Sequence, residues 1–166
     1  MIDPKWIGQI EETDIAIIGM AAQYPEASNL CEFWKNISSG RYCAKKLGIK
    51  ELQTRGVPQE FIQNPRFVGL AAEPPGILEF DHEFFGLSPK EAKIMDPQHR
   101  RFIQAAWHAL EDAAYPPSQI PGNLGIYAGA GHHHYFIKNL LADPKLLDEA
   151  GFFWLRHTGN VPFVLA

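Results

Sequence analysis

The chain has 166 residues, 46% of them hydrophobic and 20% charged, and a formal net charge of −4. That length supports one domain with a core of its own, and an acidic balance without a basic stripe or arm argues against a nucleic-acid partner. No apolar run reaches the roughly 20 residues that span a bilayer, the opening MIDPKWIGQIEETD lacks the blocks of a secretory signal, and Cys31 and Cys43 form neither a CxxC nor a disulfide framework, so a cytoplasmic, membrane-free protein is expected.

Residues 1–13 read as a polar N-terminal leader carrying one aromatic, Trp6, and the domain proper as 14–166. Asp14 to Met20 is an unbroken apolar run that reaches a glycine, the pattern of a parallel strand covered on both faces. Gly19 alone makes no phosphate loop, because no further glycine follows at dinucleotide spacing. Ser28-Asn29 then supplies a helix cap, with Glu32 placed for a capping box and Gly40 as a stop. Between them Leu30, Phe33, Trp34 and Ile37 recur at helical spacing and predict a core-facing stripe. Cys31 stands beside Leu30 with no adjacent basic residue, so it reads as an inert thiol rather than a nucleophile.

The signal weakens from Arg41 to Pro65. Lys45-Lys46 reads as a solvated loop, and a short helix is expected near Gln59 to Gln63. Phe67–Ala71 suits a strand and Glu73–Gly76 a turn. The stretch from Phe80 to Tyr115 is the strongest in the chain. Ser88, Pro89 and Glu91 make a complete helix start, and Asp96-Pro97 repeats it, so a short helix should feed a longer one. Pro97 restarts the helix because an interior proline would remove a donor and clash with the preceding turn. Along the second helix Phe102, Ile103, Ala106, Trp107, Leu110 and Ala113 form the apolar face. Arg100, Gln104, His108 and Asp112 form the polar one.

Pro116-Pro117 ends that helix, and Leu124–Ala128 predicts a second buried strand. Gly129 and Gly131 follow it, but the third position of a dinucleotide loop is His134, so the glycines are expected to allow close packing beside a cavity or a neighbouring strand. His132, His133 and His134 cannot all face one metal from a helix or a strand, and no metal site is assigned to them. Tyr135 to Leu141 predicts a short amphipathic helix that stops at Asp143-Pro144, with a further helical piece through Leu146 and Leu147. Phe152 to Leu155 is a dense aromatic patch.

Several of these stretches together resemble one family. Phe84-Phe85, Gly86, Ser88-Pro89, Glu91-Ala92, Met95-Asp96-Pro97-Gln98, Arg100, Trp107 and Leu110-Glu111-Asp112 follow the signature of β-ketoacyl synthase domains, especially those of modular polyketide synthases. The opening IAIIGMAAQYP with NLCEFWKNISSG is similar too, although many members carry Cys-Arg where this chain has Ala22-Gln23. The closing HTGNVPFVLA resembles the run up to the family's nucleophile.

The resemblance implies an α/β chain, the N-terminal half of a thiolase-like layered αβαβα fold, with one side of its sheet left uncovered. It also implies a decarboxylative Claisen condensation of a carrier-bound acyl thioester with a malonyl-type extender. The family's cysteine and two histidines are expected beyond Ala166, so no residue here is assigned a catalytic, cofactor or metal role, and the chain alone is expected to be inactive. Substrates would arrive on the phosphopantetheine arm of an acyl carrier protein. The other expected partners are the remainder of the ketosynthase domain and a second copy in a homodimer. A naturally short, non-catalytic ketosynthase-like module and a fatty-acid-synthase-type condensing enzyme stay open as alternatives.

Overall fold

The computed structural model describes residues 13–120, 122–131, 134–145 and 148. Among them, five α-helices and two short strands run in the order α1 (Leu30–Ser38), β1 (Lys45–Lys46), α2 (Ile49–Thr54), α3 (Gln59–Ile62), β2 (Leu70–Ala71), α4 (Pro89–Ile94) and α5 (Pro97–Asp112). A 3₁₀ turn at Pro117–Gln119 and a π-type turn at Phe136–Leu140 follow.

The α4–α5 elbow forms as its caps dictate. The Ser88 hydroxyl accepts from Glu91 N–H at 3.2 Å while the Glu91 carboxylate accepts from Ser88 N–H at 2.7 Å, a complete capping box with Pro89 at the first helical position. Met95 is extended, which ends α4. Asp96 then caps α5 by accepting from Gln98 N–H at 2.8 Å, with Pro97 restarting the helix. At the far end Ala114 takes φ +56°. Its N–H donates to the Glu111 carbonyl, and Tyr115 N–H donates to that of Leu110. This is a Schellman stop with alanine in the left-handed position that glycine usually fills.

The core collects at this elbow. Ile94 is 2% exposed and packs with Leu140, flanked by Tyr135 and Phe136. The Tyr135 hydroxyl donates to the Lys93 carbonyl at 2.7 Å, and the Arg100 guanidinium lies 6.0 Å over the Tyr135 ring. A second cluster fixes the phenylalanine pair. Phe80 stacks on Phe85, Phe85 meets Phe84 edge-on, and Phe84 meets Trp107 of α5 edge-on with centroids 4.8 Å apart.

Two expected buried strands are corrected. Among the described residues neither 14–20 nor 124–128 joins a ladder, and Ile15 is 94% exposed, Ile17 78% and Tyr127 98%. Apolar content makes such a run suited to a sheet interior, but the ladder itself needs a neighbouring backbone. The sheet among the described residues lies elsewhere: β1 pairs antiparallel with β2, Lys45 opposite Ala71 and Lys46 opposite Leu70. Lys45-Lys46 is thus a strand, although an exposed one. The stripe expected on α1 is also only half covered. Phe33 stacks on Tyr24 at 3.8 Å, but Trp34 is 69% exposed. Helix α2 forms where the sequence signal is weak and no element is expected. His132, His133, the piece through Leu146 and Leu147, and the 152–155 patch lie outside the described residues, as do the leader to residue 12 and the 157–166 segment.

Candidate functional site

Helix α5 is the platform on which the two unpaired runs rest, and three of its polar side chains hold them. Gly19 crosses its last turns so closely that a Cβ there would lie 2.3 Å from the Ala109 carbonyl oxygen and 2.7 Å from Ala113 Cβ. Only glycine against two alanines permits that approach. One residue on, Met20 N–H donates to Asp112 Oδ2 at 2.9 Å. At the other end of α5, Gln98 Oε1 accepts from Gly131 N–H at 2.7 Å, and a Cβ on Gly131 would crowd that same oxygen at 3.0 Å. Between these ties Arg101 Nη1 donates to Gln23 at 2.7 Å and to Gln104 at 3.2 Å.

A cavity of about 720 Å³, open on one side, lies between Met20–Tyr24, the start of α1 and α5. Its apolar wall includes Leu30, Phe102 and Ala105, and its polar wall Gln23, Arg101 and His108. The volume falls in the range of ligand-sized pockets. Burial lowers the Arg101 guanidinium pKa from its ordinary value, while the field of Glu79 opposes that shift and that of Arg100 adds to it. A smaller space of about 300 Å³ adjoins the cavity at Gln23, Arg101 and Gln104, and is also bordered by Gly76, Glu79 and Asp81.

The residues weighed as chemistry divide plainly. Cys31 is a free, exposed thiol on the first turn of α1 at the cavity rim, and among the described residues no base is hydrogen-bonded to it. Cys43 is half-buried and donates weakly to the Arg41 carbonyl at 3.7 Å. His108 pairs with Glu111 at 3.0 Å on the exposed side of α5. The His108 and Trp107 hydrogen bonds hold the Glu111 carboxyl below its ordinary value. Among the described residues no group of three His, Cys, Asp or Glu side chains could hold a metal ion. Gly131 packs on Gln98, the close-packing role expected of the pair, whereas Gly129 lines the cavity with open space where a Cβ would stand.

Sequence reasoning missed Asp112, Gln98 and Arg101 as tethers. For Asp112 a signal existed: a carboxylate in the last turn of a helix opposes the macrodipole, which calls for a partner elsewhere. At the Ala22-Gln23 departure the structure shows a guanidinium contact of its own. Gln23 receives a guanidinium, but from Arg101 of α5 rather than from its own segment.

The model of the β-ketoacyl synthase N-terminal domain matches residues 12–163. The chain belongs to the β-ketoacyl synthase family, in its N-terminal domain, and its homologues are ketosynthase domains of polyketide synthases. It is 41% identical over 144 residues to a phenolphthiocerol/phthiocerol polyketide synthase of Mycobacterium tuberculosis, covering 86% of this chain and 10% of that protein. It is 37% identical over 124 residues to polyketide synthase PksN of Bacillus subtilis, covering 75% of this chain and 2% of that protein.

Among solved structures, ketosynthase twelve of the bacillaene polyketide synthase of Bacillus amyloliquefaciens matches with a TM-score of 0.51 at 41% identity, over 58% of this chain and 17% of that one. The module 6 ketosynthase of the Bacillus subtilis 168 bacillaene synthase matches with a TM-score of 0.51 at 33% identity, over 63% and 17%. The chain thus spans a tenth or less of these curated relatives and about a sixth of the solved ones. No helix among the described residues is long and apolar enough to cross a membrane.

Proposed function

We propose that residues 14–166 are the front part of a polyketide-synthase ketosynthase whose complete form joins two carrier-bound acyl groups. The observation that carries this is the family match across 12–163, with the motif from Phe84 to Asp112 at its centre. In that reaction a cysteine thiolate attacks the acyl thioester and releases the carrier thiol. A malonyl-type extender on a second carrier loses carbon dioxide, and the resulting enolate attacks the acyl-enzyme carbonyl. The new carbon–carbon bond forms as the cysteine thiolate leaves. Donors aimed at the oxyanion and enolate supply much of the rate.

The cysteine and histidines of that chemistry are assigned to segments beyond Ala166. The present chain supplies the scaffold: α5 ties the 14–23 run at Asp112 and Arg101 and the 122–131 run at Gln98, and the two runs become strands of a layered thiolase-like sheet that the rest of the ketosynthase domain completes. An acyl carrier protein, a second copy of the domain and a cytoplasmic setting belong to the same proposal.

The test is direct. Purified chain given acyl- and malonyl-carrier protein should release no carbon dioxide above background, and mass spectrometry should find no acyl group on Cys31 or Cys43. The same sequence carried within its complete ketosynthase should condense the pair. Rapid acylation of either cysteine in the chain alone overturns the assignment.

A further inference from the structure

Arg101 is short of partners on one side. Its Nη1 is satisfied by Gln23 and Gln104, but Nε and Nη2 are shut off from solvent and meet no acceptor among the described residues. Buried donors left unmatched are costly, and guanidinium nitrogens more so than amides. An acceptor stands close by. The point that a Cβ on Gly76 would occupy lies 2.8 Å from Glu79 Oε2 and 3.8 Å from Arg101 Nη2. Carboxylate and guanidinium therefore converge on the one space that glycine leaves open, at a φ of +62°, yet they are not joined at ion-pair distance.

We propose that Arg101 is a two-position clasp: it holds Gln23 and Gln104 as seen here, and it closes onto Glu79 across the space beside Gly76. The two seats differ in kind. The first gives two hydrogen bonds to neutral amide oxygens; the second gives one charge-assisted, forked pair. Because Arg101 borders both the 720 Å³ cavity and the smaller space, its choice of seat links them. Seated on Glu79, it ties the turn at 75–78 to α5 and leaves the Gln23 amide open to the large cavity. Anything that engages Gln23 from the large cavity thereby tightens the adjoining turn at 75–78.

Amide hydrogen exchange on the whole chain reads this out in peptides covering 73–81, with 98–112 as the control for global opening. Glu79→Gln should raise exchange in 73–81 about two- to fivefold, as loss of a partly exposed ion pair would. Gln23→Ala weakens the first seat, leaving Gln104 as its acceptor, and should lower exchange in 73–81, by up to a similar factor. That protective response is one that a merely structural Gln23 cannot produce. Unchanged exchange with Glu79→Gln, or faster exchange with Gln23→Ala while 98–112 holds, overturns the clasp. If a variant also opens 98–112, the unmodified chain decides. Raising NaCl from ~0.05 to ~0.5 M should screen the pair and speed exchange in 73–81, and no response to salt overturns the proposal.

Discussion

The α4–α5 elbow and the two apolar runs at 14–20 and 124–128 behave in opposite ways. In the elbow every feature expected from local sequence is present, down to the reciprocal Ser88–Glu91 bonds and the restart at Pro97. In the runs the composition suits buried strands, yet no ladder forms among the described residues and their isoleucines stand in the open. A helix closes its hydrogen bonds within itself, so residues three and four apart decide it. A strand closes them on a neighbour, so its residues state a capacity that another part of the fold must realise.

The largest effect that tests this contrast is Trp107→Ala. Its indole anchors the Phe84–Phe85–Phe80 cluster to α5, and removing it should cost about 3 kcal/mol in denaturant unfolding. The neighbouring exposed His108→Ala should cost no more than about 0.5 kcal/mol. Equal losses at the two would mean that the apolar and polar faces of α5 are wrongly phased. Next comes Gly19→Ala, where a methyl group would press into the Ala109 carbonyl and the Ala113 side chain. Overpacking of that kind costs about 1–3 kcal/mol, and the Met20 N–H bond to Asp112 should weaken with it. Faster amide exchange at Met20 would register that loss, whereas a neutral Gly19→Ala would show that the run is not seated on α5.

A gain of similar kind is expected at the helix stop. Ala114→Gly relieves a left-handed alanine at the Schellman position and should stabilise the chain by about 1 kcal/mol, seen as a higher unfolding midpoint. The smallest effect sharpens the comparison most. Ile17→Ser lies in a run composed like a sheet interior, yet at 78% exposure it should change the stability of this chain by no more than about 0.5 kcal/mol. Within a complete ketosynthase the same substitution should cost several times more, if the proposed sheet covers it there. A large loss in the chain alone would show that the run is already covered.

The helices were legible because their signals are local. Asn29 caps α1 by accepting from Glu32 N–H, Gly40 ends it at φ +66°, and α3 lies where Gln59 to Gln63 was expected. The roles of polar residues on α5 were not legible. Asp112, Gln98 and Arg101 look like a solvated face, and only the fold shows that they grip backbone and side chains 92, 33 and 78 residues away. By itself the sequence determined the family, the starts of α1, α4 and α5 and the elbow, because caps, prolines and apolar period act within a turn or two of the chain, while α2 escaped it. Tertiary structure alone decided that Gly19 lies against Ala109 and Ala113, that Arg101 faces Gln23 beside Glu79, and that Lys45-Lys46 pairs while Ile15 to Ile18 does not. Those outcomes depend on which distant backbone arrives at a given surface, and local composition says what a segment can accept but not what reaches it.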